Sequence, residues 1–185
     1  MESLRPFLQK PFWLASPSKT TKESLYRAFS ASSLEDGGNR IKEVATQRAT
    51  DEADIRQRID KLTEAIRAMN LEGVMSIYAP DIVSFDIVLP LQHVGAEAKR
   101  KNWVDAFAMY QHPLAYEIRD LAITVGDDVT FARSLNRISG TLKNGNRTDF
   151  WLRSTTCFRK IDGSWLIAHD QVFVPLDLES RAERC

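Results

Sequence analysis

Two arginines interrupt a stripe that is otherwise apolar. Val129, Phe131, Arg133, Leu135 and Arg137 alternate along a segment that reads as a β-strand, so all five share one face. The next strand repeats the theme with Trp151, Arg153, Thr155 and Cys157. A guanidinium buried in a core needs a counter-charge, because an unpaired ion away from water is very costly. Asp86, Asp149, Asp170 or the carboxylate of a bound ligand could supply it. A second placement turns the same face outward, into water or against another copy of the chain. Strand parity decides between them, and a single bulge reverses it. Asp170 is a further candidate acid, next to His169. Being adjacent on a strand, they face opposite sides. His93 and His112 lie beside loop signals and read as surface residues. Cys157 reads as a small core residue. No Cys/His spacing resembles a zinc site, and no metal or organic cofactor is implied.

These side chains must be positioned by helices that come first and strands that follow. Ile55, Ile59, Leu62, Ile66 and Met69 recur at spacings of four, three, four and three, which predicts a helix from about Asp51 to Met69. Thr50 or Asp51 can cap it, and Asp51, Glu52 and Asp54 suit its positive end. A short helix is expected from Leu71 to Tyr78, stopped by Pro80. A third is expected from Ala96 to Tyr110, with Trp103, Phe107 and Tyr110 on one side. After Pro113 the period becomes two. Tyr116 and Ile118 share a face and Leu121, Ile123 and Val125 share another, so a bulge is expected near Arg119-Asp120. Strands are expected over Val129–Thr141, Arg147–Lys160 and Trp165–Val174. Turns fall at Gly126-Asp127-Asp128, Lys143-Asn144-Gly145-Asn146 and Asp162-Gly163. Helices followed by hairpin-linked strands argue an α+β domain, with helices on one face of a curved antiparallel sheet.

Composition narrows the function classes. The chain has 185 residues, 25 basic and 25 acidic, with 43% hydrophobic residues, which suits a globular domain rather than disorder. No apolar run approaches the roughly 20 residues of a membrane span. The zero net charge averages unlike parts: residues 1–33 hold five basic and two acidic residues, leaving the remainder at −3. A weakly acidic body argues against nucleic acid as the partner. Residues 1–33 are also Ser-rich, and Arg27-Ala28-Phe29-Ser30 has the form of a mitochondrial presequence cleavage site. A mitochondrial (matrix) address is therefore expected, with a plain basic tail on a cytoplasmic protein as the alternative. Residues 34–50 read as a polar linker with Gly37-Gly38 as a breaker. The domain is placed at 51–176, followed by a tail at 177–185.

The chain resembles the nuclear-transport-factor-2-like superfamily, and within it the SnoaL-like and ketosteroid-isomerase-like members. The resemblance covers about residues 50–176. It is carried by Asn70-Leu71-Glu72-Gly73-Val74-Met75-Ser76-Ile77-Tyr78-Ala79-Pro80-Asp81, Ser84-Phe85-Asp86, Gly95, and Asp162-Gly163-Ser164-Trp165-Leu166-Ile167-Ala168-His169. It implies a cone-shaped (cystatin-like) α+β fold whose curved sheet wraps three N-terminal helices. It also implies a homodimer paired through the outer sheet face, to which Trp165, Ile167 and Phe173 are assigned.

The resemblance also suggests site residues. Asp86 matches the catalytic Asp of ketosteroid isomerases, which moves a proton between carbons beside a carbonyl. A carboxylate suits that task in an apolar pocket. The oxyanion donors of those enzymes do not carry over: Leu62 stands in place of the Tyr, and Ser154 or Thr155 in place of the protonated Asp. Trp103 matches a pocket Tyr, and could floor a cavity or be core. His169 fits the family's "W-x-x-x-H" position, but Gln171 replaces the second histidine often found there. By the same alignment Asp170 faces inward, so Asp86 and Asp170 would be two acids in one cavity, one pKa raised by the other. The first functional reading is a pocket with isomerase- or cyclase-type acid/base chemistry on a small apolar carbonyl or carboxylate compound. In it Asp86 and Asp170 are catalytic, and Tyr78, Trp103, Arg133, Arg153, Ser154 and Thr155 contact the substrate. The second is a non-catalytic binding or assembly module resembling the association domain of calcium/calmodulin-dependent kinase.

Overall fold

A computed structural model describes the backbone of residues 19–175 and the side chains of residues 38–175. The expected presequence and the 177–185 tail lie outside the residues whose side chains are described. The chain divides into two compact units, Met1–Thr46 and Gln47–Cys185. In the first, helix α1 (Lys19–Arg67) is already under way, and its side chains from residue 38 to 46 are all exposed.

Residues 34–50 are therefore helical, and Gly37-Gly38 does not break the chain's helix. A glycine inside a helix costs only about 1 kcal/mol relative to alanine. Gly37 and Gly38 are flanked by helix formers such as Leu34, Glu35, Lys42 and Glu43, and the helix passes through them. Neither Thr50 nor Asp51 is a cap. Asp51 lies mid-helix, 6% exposed, and accepts hydrogen bonds from Lys160 Nζ (2.9 Å), Trp165 Nε1 (3.0 Å) and Gln47 Nε2 (3.2 Å). Burial pushes its carboxyl up, but these donors outweigh burial and hold it below the usual carboxylate range.

In the second unit the apolar stripe of α1 is buried as expected: Ile55, Ile59 and Ile66 form the core, with Leu62 and Met69 packed against it. The helix ends because Met69 adopts φ 50°. That turns the chain so that Asn70 N donates to Ala65 O (2.8 Å) and Met69 N to Ile66 O (3.0 Å), which satisfies the last carbonyls. Helix α2 is shorter than expected, Leu71–Met75, capped by Asn70. Tyr78 instead begins β1 (Tyr78–Phe85). Pro80 is tolerated there because the pairing register shifts between Tyr78 and Val83, where its missing N–H breaks no regular ladder.

Then follow β2 (His93–Val94), α3 (Ala96–Met109), β3 (Ala115–Thr124), β4 (Val129–Thr141), β5 (Arg147–Ile161) and β6 (Ser164–Phe173). The six strands form one curved sheet in the order β2-β1-β6-β5-β4-β3, antiparallel except where β1 runs parallel to β6. The bulge near Arg119-Asp120 is present: the register shifts between Arg119 and Ala122, and Asp120 has φ 54°.

A second bulge, not expected, decides the parity of the sheet. On β6 Cys157 pairs with His169 and Phe158 with Ile167, so Ala168 is the extra residue. Before it, Trp165 and Ile167 point inward and are 0% and 2% exposed. They are core residues, and the expectation that they form an outer face with Phe173 is corrected. After the bulge the inward positions are Asp170 and Val172. On β4 the buried residues are Thr130, Ala132 and Asn136, which leaves Val129, Phe131, Arg133, Leu135 and Arg137 on the other face. The arginines are therefore on the outer side of the sheet and need no buried counter-ion.

Candidate active site

Helix α3, the inner face of the sheet and the Ile59–Ile66 stripe of α1 enclose a cavity of about 650 Å³. Gly95 sets the angle of α3. Its φ of 84° and ψ of 158° suit a glycine, and Lys99 N donates to its carbonyl as the helix starts. The helix then presents Lys99, Asn102, Trp103 and Ala106 to the cavity, spaced as one helical face requires.

Asp86 follows β1 in phase with buried Ile82 and Ser84, and so turns inward. Ser84 pairs in register with Asp170 on β6, which brings the second carboxylate to the same place. Between them sits Lys99, only 2% exposed. Its Nζ lies 3.5 Å from Asp86 Oδ2, and 3.2 and 3.4 Å from Asp170 Oδ2 and Oδ1. Asn102 Nδ2 donates to Asp86 Oδ2 (2.6 Å), and Ile87 N donates to Asp86 Oδ1 (2.9 Å). Tyr78 OH donates to Asp170 Oδ2 (3.3 Å) and accepts from Trp103 Nε1 (3.2 Å). The Lys99 ammonium lies 5.4 Å from the Tyr78 ring centre and 5.7 Å from that of Trp103, within cation–π range.

Another chain of hydrogen bonds crosses the floor of the cavity. Ser134 Oγ donates to Asn136 Oδ1 (2.8 Å), and Asn136 Nδ2 donates to Tyr116 OH (2.8 Å). Tyr116 accepts in this chain, so its own O–H can serve as a donor. Burial, and after it the charge of Asp170, pushes both Tyr78 and Tyr116 above the usual phenol range, so each stays protonated.

Of the residues expected from sequence, Tyr78, Asp86, Trp103, Ser154 and Asp170 line this cavity. Arg133, Arg153 and Thr155 do not. They are exposed on the outer face, where the Arg153 guanidinium lies 5.5 Å from the Phe173 ring. Parity is the reason: Ser154 is turned inward at 8% exposure, so Arg153 and Thr155 on either side must face out. His169 is turned away from the carboxylates. Its Nδ1–H donates to Val83 O (2.7 Å) and its ring meets Phe85 edge-on. His93 is not a surface residue. It is 8% exposed, lines the cavity, and its Nε2 has no hydrogen-bond partner. Cys157 is partly exposed rather than core, on the outward row with Arg153 and Thr155.

Sequence reasoning missed Lys99, Asn102, Tyr116 and Asn136. One signal was there: Lys99 stands four residues before Trp103 and eight before Phe107, a charge inside the aromatic stripe of α3. Among the described residues there is no group of His, Cys, Asp and Glu that could hold a metal ion, and no helix long and apolar enough to cross a membrane.

The profile of the SnoaL-like domain matches residues 55–177, and the chain belongs to that family. Its fold is that of a solved NTF2-like protein of unknown function from Pseudomonas putida, at 29% identity and a TM-score of 0.65 over 71% of this chain and 92% of that one. A ketosteroid isomerase-like protein from Erwinia carotovora atroseptica is similar at 23% identity and a TM-score of 0.59, over 68% and 96% of the two chains. A type 2 hexachlorocyclohexane dehydrochlorinase is similar in fold at 15% identity and a TM-score of 0.64, over 71% and 90%. Comparison with curated proteins gives no match.

Proposed function

We propose that this SnoaL-like protein binds a small apolar carbonyl compound and transfers a proton on it. Asp86 is the base and Asp170 the second acid, while Tyr78, Trp103 and Ser154 hold the ligand. The observation that carries this reading is the convergence of two carboxylates, from β1 and β6, on one buried ammonium in an apolar cavity. Lys99 and Asn102 fix the direction of Asp86, as a general base requires, and Tyr116 offers a neutral O–H to a carbonyl oxygen. The test is deuterium exchange beside the carbonyl of an aryl alkyl ketone, followed by NMR with the full chain. Catalysed exchange that falls by roughly 10²–10⁴ in Asp86→Asn fits general-base catalysis. Retained exchange in that variant removes Asp86 as the base.

One observation favours a second, non-catalytic reading as a binding or assembly module. Asp86 is engaged by Lys99 and Asn102 rather than free. Ketone binding without exchange would select it. We also propose a homodimer through the outer sheet face, where Val129, Phe131, Leu135 and Phe173 are exposed. Sedimentation of Phe131→Glu as a monomer, against a dimeric parent, is the expected result. A mitochondrial address in residues 1–33 remains part of the proposal, and a fluorescent fusion of that segment should enter mitochondria.

A further inference from the structure

The cavity is unevenly supplied with charge. Two carboxylates and one ammonium give it a formal charge of −1, in a place where Lys99 is 2% and Asp170 7% exposed. Lys99 has three N–H donors, and three carboxylate oxygens lie within 3.5 Å of its Nζ: Asp86 Oδ2, Asp170 Oδ1 and Asp170 Oδ2. Its single charge is already outnumbered by the two carboxylates that it faces, so it offers no net attraction to an anionic ligand. The other cation lining the cavity, Lys101, is exposed and already paired with Asp105 at 2.6 Å. The arginines that could have received a carboxylate face outward. The acceptors, by contrast, are in surplus. Asp86 keeps part of its side chain open, at 17% exposure. His93, 92% buried by its 8% exposure, also lines the cavity with an Nε2 that nothing satisfies, an acceptor in the Nδ1–H tautomer. A buried site short of one positive charge and of N–H donors is completed by a group that brings both.

We infer that the cavity is selective for an apolar amine, and that its substrate class is an apolar carbonyl compound carrying a basic nitrogen, with carboxylates excluded. The ammonium pairs with Asp170 of the Asp86–Lys99–Asp170 cluster, cancels the cluster's surplus negative charge, and leaves Asp86 to act as the base. Tyr116 serves the carbonyl end. The inference rests on the reading of this cavity as a small-molecule pocket, and it replaces the carboxylate ligand that outward-facing arginines cannot hold.

The test uses three probes of one shape on the full chain, by isothermal titration: benzylamine, benzyl alcohol and benzoate. The expected result is benzylamine binding about tenfold or more tighter than benzyl alcohol, the size of one 1.4 kcal/mol charge contact, with benzoate weakest. Asp170→Asn should abolish the amine preference while benzyl alcohol still binds. Asp86→Asn, at the more exposed carboxylate, gives the same readout should the first variant fold poorly. Benzoate binding as well as benzylamine, or an amine preference that survives in both variants, overturns the charge selectivity and leaves the pocket standing. Failure of all three probes to bind overturns the pocket reading and this inference together.

Discussion

The two faces of one sheet carry the same kinds of charge and use them in opposite ways. On the outer face Arg137 grips Asp149 through two hydrogen bonds of 2.7 and 2.6 Å, and Arg119 and Arg137 lie 4.9 and 5.9 Å from the Trp151 ring centre. These ions keep much of their water, and the guanidiniums cover apolar surface with their stems. On the inner face Asp170, with Lys99 reaching it from α3, has lost nearly all of its water, and so has Lys99. An exposed pair gains little from its attraction because solvent screens it. A buried cluster costs heavily to assemble, and costs again when one member is removed. Nature of the residue, then, says less about the worth of an ion pair than which side of the pleat it occupies. The inner charges are too costly to be explained by stability, which is why the site reading falls on them.

That contrast can be broken by substitution, starting where the effect is largest. Lys99→Met leaves two carboxylates buried without their cation and should destabilise the fold by about 3–5 kcal/mol. Urea denaturation measures it, and adding Asp170→Asn to Lys99→Met should recover part of the loss. Recovery of nothing would mean that Lys99 supports the fold by packing alone. Asp51 lies between the extremes, with its side chain 9% exposed and that of Lys160 27%. Asp51→Ala strips a partner from both Lys160 and the buried Trp165 N–H, and should cost about 1.5–3 kcal/mol. The sign with pH follows from its depressed carboxyl. Its contribution is complete above the unfolded value of about 3.9 and is lost as the pH falls through the lower folded-state value. Asp51→Asn should therefore flatten the acid limb of a stability–pH curve. Smallest is Arg137→Ala on the outer face. It should leave the denaturation midpoint unchanged within error, while Asp149, held low chiefly by its hydrogen bond to Arg137, moves back up in an NMR titration.

Much of the architecture was legible along the chain. The strand Val129–Thr141 has the expected bounds, the bulge at Arg119-Asp120 follows from a phase slip, and the Ile55-to-Met69 stripe is the helix face that packs on the core. The site was legible in part. Asp86, Asp170, Trp103, Tyr78 and Ser154 meet in one cavity, and the SnoaL-like resemblance pointed to each. Arg133, Arg153 and Thr155 were misplaced because alternation fixes which residues share a face but not which face is covered. Pro80 misled at β1 for a related reason: a proline forbids a regular ladder, not an irregular one. The glycine pair at 37–38 misled because a local preference of about 1 kcal/mol per residue is a weak vote against a long helix.

From periodicity and turn chemistry alone came the succession of helices and strands, the position of the hairpins and the apolar stripe of α1. Those are local properties, set by residues a few places apart. The tertiary structure decided what depends on residues far apart in the chain. One extra residue at Ala168 turns Asp170 inward beside Ser84, and a register of strands sends the arginines to the surface. A helix started by Gly95 then delivers Lys99 to the gap between two carboxylates 84 positions apart in sequence, at Asp86 and Asp170. The charge balance of the cavity exists only once those three elements are packed, because burial is what turns ordinary ions into a site.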